Sequence, residues 1–201
     1  MRRSTTQKNQ SRARILSAAQ RRFRQDGIEA SGLAGIMSEA GLTLGGFYAH
    51  FASKDDLVTT ALDAALGSQL ESLCANPSGV DLAILVKSYL SGEHRDSAGD
   101  GCPSAALLPE LSRQSEKARQ VYASRVRAIL GEIAHLLSPD WREEGSDMAI
   151  GLFGMLVGCM QMARAVADPE LSDRILEGGV RAAITLAGIH RPEGGSGEGQ
   201  D

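Results

Sequence analysis

The residue best placed for covalent chemistry is Cys102, one of three cysteines in the 201-residue chain. It stands directly before Pro103, a residue favoured in the first turn of a helix, so its thiol is predicted to lie at a helix amino terminus. Unpaired N–H groups at such an end stabilise a thiolate and lower the pKa of the thiol. The pattern fits a sensor of oxidants or electrophiles, and it also fits a small residue that merely begins a helix.

A thiol-dependent enzyme is the alternative that Cys102 raises, because His94 or His135 could serve as its base. No third residue that would orient such a base can be identified, and the chain has no glycine-rich phosphate loop. The histidines lack the spacing of metal ligands, and the three cysteines are too far apart for zinc-ligand pairs or a disulfide framework. We therefore predict no enzyme, no metal and no cofactor.

A second kind of chemistry is the binding of a polyanion by the amino-terminal end of the chain. Residues 1–54 carry nine Lys and Arg residues against three acidic residues, whereas residues 55–201 carry 12 basic and 22 acidic residues. A basic segment on an otherwise acidic chain can meet a polyanion, or it can be an ordinary solvated tail.

Helices must position these groups, because apolar residues recur at intervals of three and four and the alternation typical of strands is absent. The apolar stripe of Ile15, Ala19 and Phe23 predicts a first helix that Gly27 ends. Ser53 followed by Asp56 is a capping-box pattern at the start of a long helix. The predicted helices cover residues 10–25, 33–40, 43–50, 54–74, 80–93, from 103 onward, 116–137, 146–167 and 169–189, with Ser31 and Thr43 as further caps.

Two short helices joined by a turn at Gly41, with a longer helix before them, are typical of a helix-turn-helix domain. Gly45 and Gly46 remove side chains from the outer face of the second short helix, so that its backbone can lie close to DNA. A loop that only needs flexibility is the alternative, but capped helices flank this segment on both sides. The residues expected to pack against the first helix are Ile36, Ala40, Leu42, Phe47, Phe51 and Leu57.

At these residues the sequence resembles the DNA-binding domain of the TetR family of transcriptional regulators. The resemblance covers about residues 12–62 and rests on RILSAAQRRFRQDGIEAS, IMSEAGLTLGGFYAHFASKDDL and the helix that follows. The turn glycine, the aromatic pair and the SKxxL pattern are in the family's register, in the form GGFYAHFxSKxxL of one branch. The resemblance implies a homodimer that reads a palindromic operator in double-stranded DNA, and a carboxy-terminal domain that binds a small-molecule inducer.

The resemblance also implies which residues would hold the DNA backbone. Thr43 and Tyr48 would bind phosphates beside the groove. His50 and Lys54 would hold the backbone as well, Lys54 at the positive end of the helix that follows it. Asp55 and Asp56 would repel phosphate, so we expect them to be turned away.

Contacts to the bases are expected to be few. By resemblance Leu44 and Gly45 would face base edges, where Leu44 can meet a thymine methyl. Residues 43–50 depart from the expected pattern because they contain no Arg, Lys, Asn or Gln, the residues that make bidentate base contacts. Specificity would then depend on DNA shape and on a basic arm that follows phosphates or enters the minor groove. The residues of that arm are Arg2, Arg3, Lys8 and Arg12.

The remainder of the chain, from about Leu62 to Ile189, is predicted to form an antiparallel helical bundle. Gly151, Gly154 and Gly158 recur at close-packing intervals on one helix, and the last helix is apolar on one face. As the resemblance implies, these last two helices would build a four-helix dimer interface. The alternative is that they are simply core helices.

A pocket for the signal molecule is expected within this bundle, because its apolar residues are accompanied by a few polar ones. The segment HRDSAGDG before Cys102 is rich in turn residues and is predicted to be mobile, which would admit a reactive molecule. Plain core is the alternative for each candidate. The candidates are Cys102, Tyr89, Tyr122, Arg125, Phe153 and Met160, with Leu70, Leu85 and Leu108 beside them.

These features predict an all-α fold, in which a helix-turn-helix DNA-binding domain precedes a helical bundle for ligand binding and dimerisation. The predicted function is a cytoplasmic repressor that a small or thiol-reactive molecule releases from DNA. An activator of the same family and a helical dimerisation module without DNA remain alternatives. The apolar run Met148 to Met160 is shorter than the ~20 residues of a membrane span, so no membrane partner is expected. The predicted domains are a basic flexible arm (1–9), the helix-turn-helix domain (10–55), the ligand-binding and dimerisation domain (56–189) and a disordered tail (190–201).

Overall fold

The computed structural model describes residues 2–75, 81–137 and 144–188, without the side chains of residues 2–4 and 144–146, so the predicted tail lies outside it. Every regular element in these residues is a helix, which confirms the predicted all-α class. The elements are α1 (Arg2–Asp26), α2 (Leu33–Glu39), a 3₁₀ helix (Leu44–Ala49, the 44–49 helix), α3 (Lys54–Cys74), α4 (Leu82–Tyr89), α5 (Gly92–Asp96), a second 3₁₀ helix (Ala98–Asp100), α6 (Pro103–Leu111), α7 (Glu116–Leu137), α8 (Glu144–Ala165) and α9 (Pro169–Leu186).

The amino-terminal head consists of α1, α2 and the 44–49 helix, packed around one apolar core. The apolar stripe predicted for α1 faces inward, and the residues predicted to pack against it are buried, except that Leu42 is half-buried. The predicted helix-turn-helix core is therefore confirmed. The innermost side chains, each at most 2% exposed, are Ile15, Ala19, Phe23, Ile36, Phe47, Phe51 and Leu57.

The first helix is longer than predicted, because α1 begins at Arg2 rather than at Gln10. Residues 2–9, predicted to be a flexible arm, form its first turns. The prediction followed the basic charge of this segment and overlooked that neither glycine nor proline occurs before Gly27. The left-handed φ of 87° at Gly27 is what ends the helix.

The cap predicted for α2 is wrong by one residue. Gly32 occupies the cap position and makes no side-chain bond, while the Ser31 hydroxyl donates to the Gly27 carbonyl oxygen at 2.6 Å. Thr43 does occupy the cap position of the 44–49 helix, but its side chain makes no cap bond. The Ser31 hydroxyl therefore closes the turn after α1 instead of capping α2, whereas Thr43 has the predicted position without the predicted side-chain bond.

The helix predicted over residues 80–93 is interrupted and forms α4 and α5. Ser91 causes the restart, since its hydroxyl accepts the backbone N–H of His94 at 3.1 Å and caps α5. The segment predicted to be turn-rich before Cys102 is consequently mostly helical, made of α5 and the 98–100 helix. These two short helices pack against α8 and α1, respectively.

The bundle and the head share α3. This helix contacts α1 on one side and lies along α7 on the other, while α8 packs between α7 and α9. The domain boundary predicted after residue 55 thus passes through the first turn of α3. The head is joined to the bundle through a continuous helix rather than through a linker.

One helical segment among the described residues, Asp147–Ala165, is long and apolar enough to cross a membrane by length and composition. It is longer than the apolar run predicted from the sequence. The core helix of a bundle passes the same test, and Leu152 and Met160 are fully buried in this segment. A single such helix is therefore weak evidence for a membrane span.

Candidate nucleic-acid interface and ligand cavity

Four of the residues predicted to touch DNA are exposed on the 44–49 helix or at its cap. Thr43, Leu44, Gly45 and Tyr48 are all exposed, with Tyr48 at 71% and Leu44 at 49%. Phe47 points the opposite way, is fully buried, and stacks on Phe51 with ring centroids 5.9 Å apart. The outer face therefore presents a tyrosine and a leucine to the exterior while the inner face anchors the helix.

The glycines of this helix are not required by packing inside the protein. A Cβ atom added at Gly45 would meet nothing within 4 Å, and one added at Gly46 would only reach Met37 and Thr43 at 4.0 Å. Neither glycine has a left-handed φ. The open space at Gly45 lies on the exposed face, which supports the interpretation that a partner's surface approaches there.

The amino terminus of α3 lies next to this face and is organised by a capping box. The Ser53 hydroxyl accepts the Asp56 N–H at 3.0 Å, and the Asp56 carboxylate accepts the Ala52 N–H at 3.1 Å. Asp56 is thus engaged with the chain before it, while Asp55 is exposed. The Lys54 ammonium lies 3.5 Å from the Glu29 carbonyl oxygen, on the turn that follows α1.

Two further predicted contacts are partly buried. The Arg12 guanidinium lies over the Phe51 ring, 4.6 Å from its centroid, and so covers the core of the head. His50 is half-buried, and no described residue partners its buried Nδ1. Lys8 on the same helix as Arg12 is exposed, whereas the side chains of Arg2 and Arg3 lie outside the described residues.

Part of the basic charge is used inside the head. Arg21 binds the Glu39 carboxylate at 2.8 Å and joins α1 to α2, and Arg22 lies 3.8 Å from the same carboxylate. Such exposed pairs contribute little stability, typically below about 1 kcal/mol. No acidic residue in the described part of the chain forms an ion pair with Lys8 or Arg14. These two side chains therefore remain available to bind an anion.

A cavity of about 600 Å³ opens between α1, α3, α4, α7 and α8 and the 100–103 segment. Most of its wall is apolar, and Arg24 and Asp100 are its charged lining residues. Of the signal residues predicted from the sequence, Leu85, Tyr89, Cys102 and Phe153 line it. Gln69, Gln20 and Arg24 also line the cavity, and no signal in the sequence marks them, because the spacing of residues within one helix does not show which helices are neighbours. His94, named from the sequence only as a possible base for Cys102, lines the cavity as well.

Three predicted signal residues lie elsewhere, which corrects their assignment. Tyr122 donates to the Ser104 hydroxyl at 3.2 Å, and Arg125 binds the Asp63 carboxylate at 2.6 Å. Met160 is fully buried in the core. Their residue types and their positions on helices favour a pocket, but whether a side chain points into the cavity depends on which helices pack together. Leu70 and Leu108 do not line the cavity either.

Cys102 occupies the predicted position before Pro103 at the start of α6, and its thiol is buried on the cavity wall. Its sulfur lies 3.6 Å from the Gln69 amide nitrogen. Its backbone N–H donates to Nε2 of His94 at 2.9 Å. His94 thus accepts from the backbone of Cys102 rather than from its thiol.

Both ring nitrogens of His94 are occupied. Nδ1 lies 2.6 Å from the Tyr89 carbonyl oxygen, so the neutral ring donates there and accepts the Cys102 N–H at Nε2. Burial lowers the pKa of His94, the bond to Tyr89 opposes this shift, and the Arg164 guanidinium lowers it further. The imidazole is therefore a neutral link between α4 and α6, which leaves it unsuited to act as the base of a thiol enzyme in this arrangement.

Tyr89 presents a polar group without a partner. Its hydroxyl is buried, and no described residue forms a hydrogen bond with it. Burial raises the pKa of Tyr89 far above its usual range, and the neighbouring Cys102 thiol adds to this shift. The hydroxyl is therefore neutral, and its unmade hydrogen bond is a cost that the folded protein carries.

The substitution His94→Gln is expected to flatten the pH dependence of stability between about pH 5 and 7. Because the pKa of His94 is lowered in the folded state, the unfolded chain binds a proton first as the pH falls below about 6.5. Stability of the unmodified protein should therefore decrease towards acid, by at most about 1.4 kcal/mol per pH unit from this group. Urea unfolding at pH 5, 6 and 7 measures the slope.

The matched control is His135→Gln, because His135 is exposed on α7. In the His135 variant, stability should fall with decreasing pH as steeply as it does in the unmodified protein. Parallel slopes for the unmodified protein and the His94 variant would show that His94 is not the group that titrates.

The comparison with family models places the head among known domains. Residues 15–61 match the model described as bacterial regulatory proteins, tetR family. The HTH-type transcriptional regulator TtgR of Pseudomonas putida is 39% identical over 64 residues, which are 32% of this chain and 30% of TtgR. The chain thus matches less than a third of the length of this curated relative. These matches confirm the helix-turn-helix assignment of the head.

Solved structures resemble the chain over most of its length. A TetR-family transcriptional regulator from Streptomyces coelicolor is 27% identical, with a TM-score of 0.65 over 88% of this chain and 95% of its own. Reduced NemR from E. coli is 20% identical, with a TM-score of 0.71 over 87% of this chain and 95% of its own. The predicted architecture, a helix-turn-helix head followed by a helical bundle, is therefore confirmed.

Proposed function

We propose that this chain is a TetR-type transcriptional regulator of the branch with the GGFYAHFxSKxxL pattern, and that it represses transcription by binding a palindromic operator as a homodimer. The observation that carries the proposal is the exposed face of Thr43, Leu44, Gly45 and Tyr48 on a head that matches the tetR family model. An activator would use the same contacts and differ only in where its operator lies. The protein would act in the cytoplasm, where it meets the chromosome.

Recognition of DNA by this face would depend mainly on phosphates and shape. The 44–49 helix has no long polar side chain, so its base contact would be the Leu44 methyl groups against thymine. Tyr48, Lys54 and the basic side chains along α1 would hold phosphates, with His50 and Arg12 beside them. Affinity carried by phosphates falls steeply with salt, by roughly a thousandfold between 50 and 200 mM for six or more contacts.

Dimerisation is proposed through α8 and α9. Ile150, Gly154, Gly158 and Met162 follow one another at intervals of four on α8, and Ile150 and Met162 are each 52% exposed. Cβ atoms added at the two glycines would meet nothing within 4 Å in the same subunit. This stripe of small and apolar residues suits close packing against a second copy, which a twofold operator also requires.

The cavity is proposed to hold the inducer. Its volume and mostly apolar wall suit a small molecule, Gln20 and Gln69 supply polar groups among the lining residues, and a thiol-reactive molecule inside would meet Cys102. Release from DNA would follow if the occupied form favours a different spacing of the two heads.

The test is selection of genomic fragments by the purified protein at low and moderate salt. A shared palindrome should be recovered, and its binding should weaken tenfold or more in Tyr48→Ala and Lys54→Ala. Lys87→Ala is the matched control, because Lys87 is exposed on α4, away from the head. It should bind as the unmodified protein does.

Other results would change the proposal in defined ways. Salt-sensitive binding without a shared sequence would mean that the head binds DNA non-specifically and does not recognise an operator. Absence of binding at either salt would contradict the regulator, unless a thiol reductant restored binding and so pointed to Cys102. Equal losses in the Tyr48 and Lys87 variants would remove the 44–49 face from the interface.

A further inference from the structure

A carboxylate of the bundle binds the backbone of the turn that follows α1. Glu110, near the end of α6, accepts the backbone N–H of Ile28 at 3.2 Å with Oε1 and that of Glu29 at 2.9 Å with Oε2. Both oxygens of one side chain are thus engaged by consecutive amides of the head. Bonds between a charged acceptor and N–H groups are among the stronger hydrogen bonds in proteins.

The turn is shaped to receive this carboxylate. Gly27 has a φ of 87°, and a Cβ atom added there would lie 2.5 Å from Oε1 of Glu110. Any side chain at this position would displace the carboxylate. The Ser31 hydroxyl closes the turn from the other side by donating to the Gly27 carbonyl oxygen.

The contacts that begin at Glu110 extend through Glu29 to a residue predicted to bind DNA. Glu29 is held at its N–H by Glu110, and its carbonyl oxygen lies 3.5 Å from the Lys54 ammonium. Lys54 is the first residue of α3 and follows the end of the 44–49 helix at Ala49 by five residues in the chain. A short chain of contacts therefore links α6 to the lysine proposed to bind phosphate.

The other end of α6 forms part of the cavity wall. Asp100, Gly101, Cys102 and Pro103 line the cavity and run directly into α6. Just before them, the carbonyl oxygen of Gly99 accepts a hydrogen bond from Nε of Arg24, a residue of α1, at 2.6 Å. The segment from 99 to 110 thus touches the cavity near its start, contacts α1 at its first residue and binds the turn after α1 at its last residue.

We propose that Glu110 is the positioning residue that couples the cavity to the head. The proposal rests on the proposed function. A molecule that displaces residues 100–103 shifts α6, and Glu110 carries this shift to Ile28 and Glu29. The orientation of the head, and with it the position of Lys54, then depends on the state of the cavity.

The first test replaces the carboxylate by an amide that can accept only one of the two N–H groups. Glu110→Gln should weaken operator binding about tenfold, within the range typical of allosteric coupling. Loss of a negative charge alone would strengthen binding to DNA, so a weaker complex cannot arise from charge. Glu93→Gln removes the same charge from an exposed position on α5 and should not weaken binding.

The second test perturbs the cavity side without a ligand. A Cβ atom added at Gly101 would lie 2.6 Å from Nε2 of His94 and 3.0 Å from Nη2 of Arg164, so Gly101→Ala must displace either this segment or the His94 ring, which holds the Cys102 N–H. It should weaken operator binding severalfold in the unmodified background and less than twofold in Glu110→Gln. Equal fold-changes in the two backgrounds would overturn the coupling.

A readout on the protein alone separates this proposal from the DNA proposal. Hydrogen exchange at the amides of Ile28 and Glu29 should be faster in Gly101→Ala and in Glu110→Gln, and unchanged in Glu93→Gln. Unchanged exchange in Gly101→Ala would refute the coupling even if the operator is bound. Faster exchange without any operator binding would leave the coupling in place and refute the regulator. Thermal unfolding of each variant shows that it is folded.

Discussion

The substitution Gly45→Ala is expected to weaken operator binding about tenfold while leaving the protein at least as stable as before. A Cβ atom at this position meets no atom of the protein within 4 Å, and the backbone there is not left-handed. Alanine in a helix is favoured over glycine by up to about 1 kcal/mol. The added methyl group would instead occupy the space where DNA approaches, and a loss of about 1.4 kcal/mol of binding is tenfold. Fluorescence anisotropy and thermal unfolding measure the two effects.

The matched control is Gly131→Ala on α7. Gly131 is also exposed, and a Cβ atom added there also meets nothing within 4 Å. This variant should gain a similar stability and bind DNA unchanged. Unchanged binding in the Gly45 variant would mean that the 44–49 helix does not approach DNA closely, and the glycines would need another explanation.

The substitution Phe47→Ala is expected to cost about 3–5 kcal/mol of the free energy of unfolding. Phe47 is fully buried and stacks on Phe51, and it is the buried residue of the 44–49 helix. That helix is six residues long and has no side-chain cap, so packing must hold it in place. Because whole domains are stable by only about 5–15 kcal/mol, the loss would leave the head close to unfolding.

Chemical denaturation compares this variant with Tyr48→Ala. Tyr48 is the adjacent residue on the same helix but is 71% exposed, so its truncation should change stability by about 0.5 kcal/mol or less. Phe47→Ala is thus expected to lower stability, whereas Tyr48→Ala is expected to weaken DNA binding with little change in stability. Comparable losses of stability would show that the aromatic edge contact between the two rings, at 5.2 Å, matters as much as burial.

The sequence allowed prediction where the signal is local. Spacing of apolar residues placed the core of the head, and the serine before α3 with the aspartate in its first turn marked its start, because both signals act over three or four residues. The residues expected to face DNA from the 44–49 helix were implied by the resemblance to the TetR family rather than by spacing. The basic arm was misjudged because charge is not a helix stop, and Ser91 was overlooked as the cap that divides α4 from α5.

The features that could not be predicted depend on contacts between distant parts of the chain. Tyr122 and Arg125 have the residue types of pocket groups, but their partners, Ser104 and Asp63, lie on other helices. Glu110 resembles an ordinary glutamate near the end of a helix, and only the packing of α6 beneath α1 brings it to the turn. Which side chains share a cavity is likewise decided by the arrangement of helices, for which spacing within one helix carries no information.

The continuity of α3 limits how the head of one such protein can be joined to the bundle of another. Leu57 and Val58 are buried, and the same helix continues along α7 to Cys74. A chimera cut before α3 would strip the head of these two residues, and one cut after α3 would strip α7 of its main neighbour. The head also takes Glu110 from α6. Exchange of heads between relatives therefore requires that the new bundle supply a matching α3 surface and a carboxylate at the same turn, so the two halves are expected to evolve together rather than as interchangeable parts.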